Sequence, residues 1–116
     1  MSVSAPSGGS NHGSAAEYWD LSSLSSDWTI LSVTALYGVY GMAYFDSLSD
    51  PFGSTNTKVG SVATIEWDAA GVVWVSDNAG SSPVNPGDMT LYITGPPPHG
   101  GGLSAAESRL DVTYTT

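Results

Sequence analysis

Val59-Gly60-Ser61-Val62-Ala63-Thr64-Ile65-Glu66-Trp67-Asp68-Ala69-Ala70-Gly71-Val72-Val73-Trp74-Val75-Ser76 is the stretch on which the fold turns. Val59, Ser61, Ala63, Ile65 and Trp67 alternate with Gly60, Val62, Thr64 and Glu66, the period of a half-buried strand. Asp68-Ala69-Ala70-Gly71 has turn composition, with Gly71 suited to a positive φ. The β-branched and aromatic run Val72 to Ser76 then reads as the partner strand, so residues 59–76 are expected to form a hairpin.

The same period extends outward. Trp28, Ile30, Val33, Ala35 and Tyr37 sit among Thr29, Ser32 and Thr34, with one slip near Leu31 where a bulge is expected. Gly38 and Gly41 punctuate a second run, Val39 to Phe45, which continues the first as a bent strand or forms a separate one. Met89, Leu91 and Ile93 alternate with Thr90, Tyr92 and Thr94, and Leu110, Val112 and Tyr114 with Asp111, Thr113 and Thr115. Connectors at 46–58, 77–88 and 95–102 are rich in Gly, Pro, Ser, Asn and Asp. The last joins three prolines, His99 and three glycines, a stiff rod followed by a free joint. No long amphipathic helix appears. The expectation is an all-β fold: a small antiparallel β-sandwich or barrel of five to six strands, with an extended N-terminal arm.

That arm is residues 1–16, Gly/Ser-rich, and the domain proper is 17–116. Holding sixteen such residues in one shape costs on the order of 16–30 kcal/mol at roughly 1–2 kcal/mol each. Val3, Ala5, Pro6, Ala15 and Ala16 offer too little apolar area to offset it. The arm is therefore expected to lie on another chain, adding a strand to a neighbour's sheet edge. Ser14 and Glu17 have capping-box spacing, which suggests a helical turn or two over 17–27. Ser-Ala-Ala-Glu occurs at both 14–17 and 104–107, too short a match for a repeat architecture.

The chain has 116 residues, one domain's worth, and 41% are apolar, enough for a core. Eleven acids face two bases, Lys58 and Arg109, for a net charge of −9. The acid count is ordinary, and the deficit lies in Lys and Arg: charged residues are 11% against a typical ~25%. Such a chain is poorly suited to nucleic acid or to anionic membranes, both of which call for basic residues. Without cysteine it has neither disulfides nor thiolate metal sites. With no basic, apolar leader and no apolar run of 18 residues, synthesis in the cytoplasm without a signal peptide is expected.

Chemistry-bearing residues are sparse. His12 and His99 lie in Gly-rich segments without acids or nucleophiles at a catalytic spacing. Glu66 and Asp68 would share a strand face as a carboxylate pair does, but Asp68 suits the turn better. The oxygen-rich segments Asp46-Ser47-Leu48-Ser49-Asp50 and Asp77-Asn78-Ala79-Gly80 do not follow the calcium-loop pattern. No phosphate-cradling or nucleophile-elbow motif is present. Neither an enzyme nor a cofactor is expected.

Of the aromatics, Trp67 and Trp74 read as core, and Tyr18, Trp19, Tyr40 and Tyr44 as contact residues. With Val3, Pro6, Leu21 and Leu24 they make up the expected partner-binding set. The profile suits an accessory protein of a large assembly, foremost a decoration, cement or minor protein on the outside of a tailed-phage shell. Its partners would be major capsid subunits and copies of itself, with no nucleic acid and no membrane. The alternative is a β-sandwich that binds carbohydrate or a cell surface through exposed aromatics.

Overall fold

The computed structural model describes residues 1–10, 17–40, 45–93 and 102–116. In chain order the elements are β1 (Ser2–Ser10), β2 (Glu17–Trp19), β3 (Thr29–Tyr40), β4 (Phe45–Asp50), β5 (Gly53–Thr55), β6 (Lys58–Val59), β7 (Val62–Glu66), α1 (Ala69–Asn78), β8 (Thr90–Ile93) and β9 (Gly102–Thr115). They build two antiparallel sheets, β2-β1-β9-β3-β7-β6 and β5-β4-β8, and the described residues close no barrel. The fold is all-β.

β3 and β9 form the spine. Along β3, Val33, Ala35, Tyr37 and Val39 all point into the core, and across from them Leu110 and Val112 do the same. The slip near Leu31 is a bulge: Ile30 and Ser32 oppose consecutive residues of β9, Tyr114 and Thr113. Leu31 is the extra residue and is 56% exposed. The insertion lets Ile30 and Val33 both face inward despite their odd spacing.

A second irregularity lies in β9. Leu36 pairs with Arg109 but Gly38 pairs with Ser104, so residues 105–108 loop out against Tyr37 alone. Ser108 stitches the loop, accepting from the Gly38 N–H at 3.1 Å and donating to the Ser104 carbonyl at 2.8 Å. A Cβ on Gly38 would stand 2.5 Å from that of Glu107, so the loop requires glycine there.

The stretch 59–76 corrects the expected hairpin. Its first half is strand, with Ala63, Ile65 and Trp67 buried. The hairpin partner is β6, joined through Gly60-Ser61, with Gly60 at φ 61° in the first loop position that favours glycine. The second half is helix α1. Asp68 caps it, its side chain accepting from the Gly71 N–H at 3.0 Å. Gly71 and Val75, four apart, are buried while Val73 is 57% exposed, which is a helical and not an alternating pattern. Gly71 has no positive φ. Its role is close approach, since a Cβ would meet the Trp67 Cβ at 2.8 Å and the Phe52 Cβ at 3.0 Å.

The arm is corrected as well. Residues 2–10 are β1, a strand of the domain's own sheet. Ser2 to Pro6 pair with Thr113 to Arg109, and Ser7 to Ser10 turn to β2. Pro6 brings no N–H, and there β9 pairing ends. The ordering cost is offset less by apolar area than by the edge of β9, whose backbone groups the segment itself satisfies. Ser14 lies outside the described residues, and Glu17 begins a strand, not a helical turn. The expected connector 46–58 contains β4, β5 and the start of β6, and the expected connector 77–88 begins with the last residues of α1. Ser104 to Glu107 belong to β9, which begins eight residues before the Leu110 alternation. His12, Tyr44 and His99 lie outside the described residues.

Gly38→Ala is expected to lower stability by about 1–3 kcal/mol in urea denaturation, through overpacking against Glu107. Adding Glu107→Gly should recover part of the loss, the sign of a direct contact. Asp68→Ala should cost about 1 kcal/mol by loss of the helix cap, read in the same assay.

Candidate functional site

The polar centre of the molecule is Asp50, the last residue of β4. Its Oδ2 accepts from the Tyr37 hydroxyl at 2.6 Å and from the Trp67 Nε1–H at 2.7 Å, and its Oδ1 accepts from the Phe52 N–H at 2.9 Å. One carboxylate thus joins β3, the end of β7 and the turn before β5. Burial chiefly, then the charge and hydrogen bond of Asp50 and the charge of Glu17, hold the Tyr37 phenol well above its ordinary pKa.

Aromatic rings pack around this carboxylate. Trp19 lies 5.6 Å from Tyr37 and 6.3 Å from Trp67, edge-on to the latter. Phe52 sits 4.7 Å from Trp67, and Trp74 lies 5.9 Å from Trp67 and 6.0 Å from Phe52. Tilted and edge-to-face pairs at these spacings are the favourable ones. Trp67 is core as expected, and Trp74 is partly buried against it.

Beside the cluster lies a second acid. Glu17 on β2 is 1% exposed, and burial pushes its carboxyl up to about 7, against the opposing pull of its Ser7 bond. Ser7 on β1 donates to Oε1. Oε2 is buried without a hydrogen-bond partner, as is the Trp19 Nε1.

The expected contact set does not assemble into one surface patch. Trp19 and Leu21 are fully buried and Leu24 nearly so, which makes them core and not contact residues. Trp19 anchors the aromatic cluster, and Leu21 is tied by its N–H to the Ser81 carbonyl at 2.9 Å. Val3 is half-buried, on the inner face beside Val112. Tyr40 ends β3, and the described side chains do not include it; Tyr44 lies outside the described residues. Pro6 and Tyr18 are at the surface, both on the β1–β2 pair.

On the outer face of the larger sheet an open trough of about 610 Å³ runs past Pro6, Val62, Glu107 and Arg109. Arg109 is paired with Asp111 at 3.1 Å, and the Ser108 hydroxyl is committed to the β9 loop. The hydroxyl-bearing Ser4 and Ser61 also line the trough. Glu66 is exposed, and the Asp68 side chain is engaged as the α1 cap. No three potential metal ligands of the acidic, His or Cys type converge among the described residues. No helix among them is long and apolar enough to cross a membrane.

Sequence reading missed Glu17 and Asp50. Glu17 was open to recognition through its phase, since Glu17, Trp19 and Leu21 alternate with Tyr18 and Asp20. Asp50 carried no such signal: its two side-chain donors lie 13 and 17 residues away.

These features define an all-β module that shows, among the described residues, two sheets, one helix and an aromatic core gathered on a carboxylate. No protein-family model, curated protein or solved structure matches the chain.

Asp50→Asn is expected to destabilise by about 2–3 kcal/mol, since the amide removes charge from two aromatic donors and turns a donor toward one of the three groups. Urea denaturation should show a lower midpoint with an unchanged slope.

Proposed function

We propose that the chain is a non-catalytic accessory of a larger protein assembly, with the outer face of a virus shell as the setting its chemistry suits best. The observation that carries this reading is the seating of β1. It closes the edge of β9 almost wholly through backbone pairing and contributes one fully buried side chain, Ala5. A strand held this way is exchangeable, because its affinity lies in main-chain groups that any β edge can match. Released from its own sheet, it can pair with a neighbour, and the uncovered β9 edge can receive a strand in return.

Charge supports the same setting. At −9 with two bases, one of them engaged by Asp111, the surface is repelled by packaged nucleic acid and suited to its outside. The principal-axis extents are 49 × 21 × 21 Å, so the body is long enough to lie across the joint between two subunits. Trp19, one of the aromatics the carbohydrate reading would use, is enclosed in the core.

Particles purified from the source of this sequence should contain the chain in a fixed ratio to the shell subunit, measured by quantitative mass spectrometry. Shells stripped of the chain should rebind it, and a variant lacking residues 2–10 should fail to bind while its remaining domain stays folded by circular dichroism. Absence from particles, or undiminished binding of the truncated form, overturns the proposal.

A further inference from the structure

The second acid has no place in the role just proposed, yet its setting is unusual. Glu17 is a buried carboxyl on the edge strand of the larger sheet. One oxygen is tied across the strand pair to Ser7, and the other has no partner. Its charge is felt by the Tyr37 phenol of β3, which donates to the Asp50 carboxylate of β4. These groups are neutral or negative. The ion pair seen among the described residues, Arg109–Asp111, belongs to β9 and involves none of them.

A carboxylic acid in such a place is tolerable while protonated. Ionised, it becomes a buried anion with an empty lone-pair site and no cation among these groups to offset it. The strand that carries it is a short edge strand, fastened to the body by the buried Trp19 beside Glu17. β2 has three residues, and beyond β1 it gains one bridge, between Trp19 and Val84. We propose that Glu17 is a pH-operated latch: protonated, it holds the β1–β2 pair against the body; ionised, it lets that pair come away and bares the β9 edge.

The direction follows from linkage. Glu17 has an ordinary value of 4.5 in the open state and about 7 when closed. The closed state therefore binds more protons between those values. Closure is strongest below pH 4.5 and is progressively lost as pH rises through 7. The latch operates in an isolated chain as well as in an assembly, so its failure would leave the assembly reading standing. If both hold, release of β1 near neutral pH is the step that makes the strand available for exchange.

Amide hydrogen exchange of the full chain, corrected for intrinsic rates, tests this between pH 5 and pH 8.5. Residues 2–10 are expected to exchange roughly tenfold faster or more at the higher pH, while β7 amides keep their protection. Glu17→Gln, which cannot ionise, should abolish the difference. Histidines ordinarily titrate in this range, and the glutamine variant separates their effect from that of Glu17: an unchanged pH response in Glu17→Gln overturns the latch. Should that variant fail to fold, carbon-13 carboxyl NMR of the wild type decides alone. A Glu17 midpoint near 7 that coincides with the onset of exchange supports the latch, and a midpoint in the ordinary carboxylate range overturns it. A wild type without pH-dependent exchange in residues 2–10 overturns it as well.

Discussion

The two sheets and the helix are drawn together at the Asp50 carboxylate. Tyr37 reaches it from the middle of β3, Trp67 from the end of β7, and Phe52 from the turn that leads into β5. Each donor alone would be a buried polar group needing a partner, and each aromatic body is useful to the core only if its polar tip is satisfied. A single charged acceptor meets both tips, so large rings can fill a small interior. Trp19, Phe52 and Trp74 then pack on rings already held in place. Helix α1 depends on this as well, because Gly71 lies close against Trp67 and Phe52.

Away from that centre, stability thins toward the edge formed by β1 and β2. There β1 is mostly Ser and Gly and pairs with β9 chiefly through the backbone, while the three-residue β2 is fastened by the buried Trp19. The one strongly buried group of β2 besides Trp19 is a carboxyl with an unpartnered oxygen. Elements of this kind open at lower free energy than the rest of a fold. A firm centre with a weakly held edge is an arrangement from which a strand can be lent to a neighbour without unfolding the body.

Much of this architecture was legible along the chain. Val33, Ala35, Tyr37 and Val39 announce β3 because alternating apolar residues can bury together only on one face of a sheet. The slip at Leu31 announced its bulge for the same reason. The helix was not legible. Val72, Val73, Trp74 and Val75 are apolar throughout, so they fit a period of two and a period of 3.6 about equally well, and their β-branching favoured the wrong one. The helix wins through the Asp68 cap and through the landing of Gly71 on Phe52, a residue from the preceding sheet. The contact set failed differently. Leu21 and Leu24 follow an edge strand in a Ser-rich stretch, and nothing local distinguishes a core anchor there from a surface one.

By itself, then, the sequence determined the all-β class, the phase of the long strands and the acid-biased charge of the chain. Those properties depend on residue type and on spacing within one element. Tertiary structure alone decided that residues 69–78 coil, that residues 2–10 complete the chain's own sheet, and that Glu17 and Asp50 are interior acids in opposite states of satisfaction. Each of those outcomes depends on which distant backbone edge or donor comes within hydrogen-bond reach, and local pattern carries no record of that.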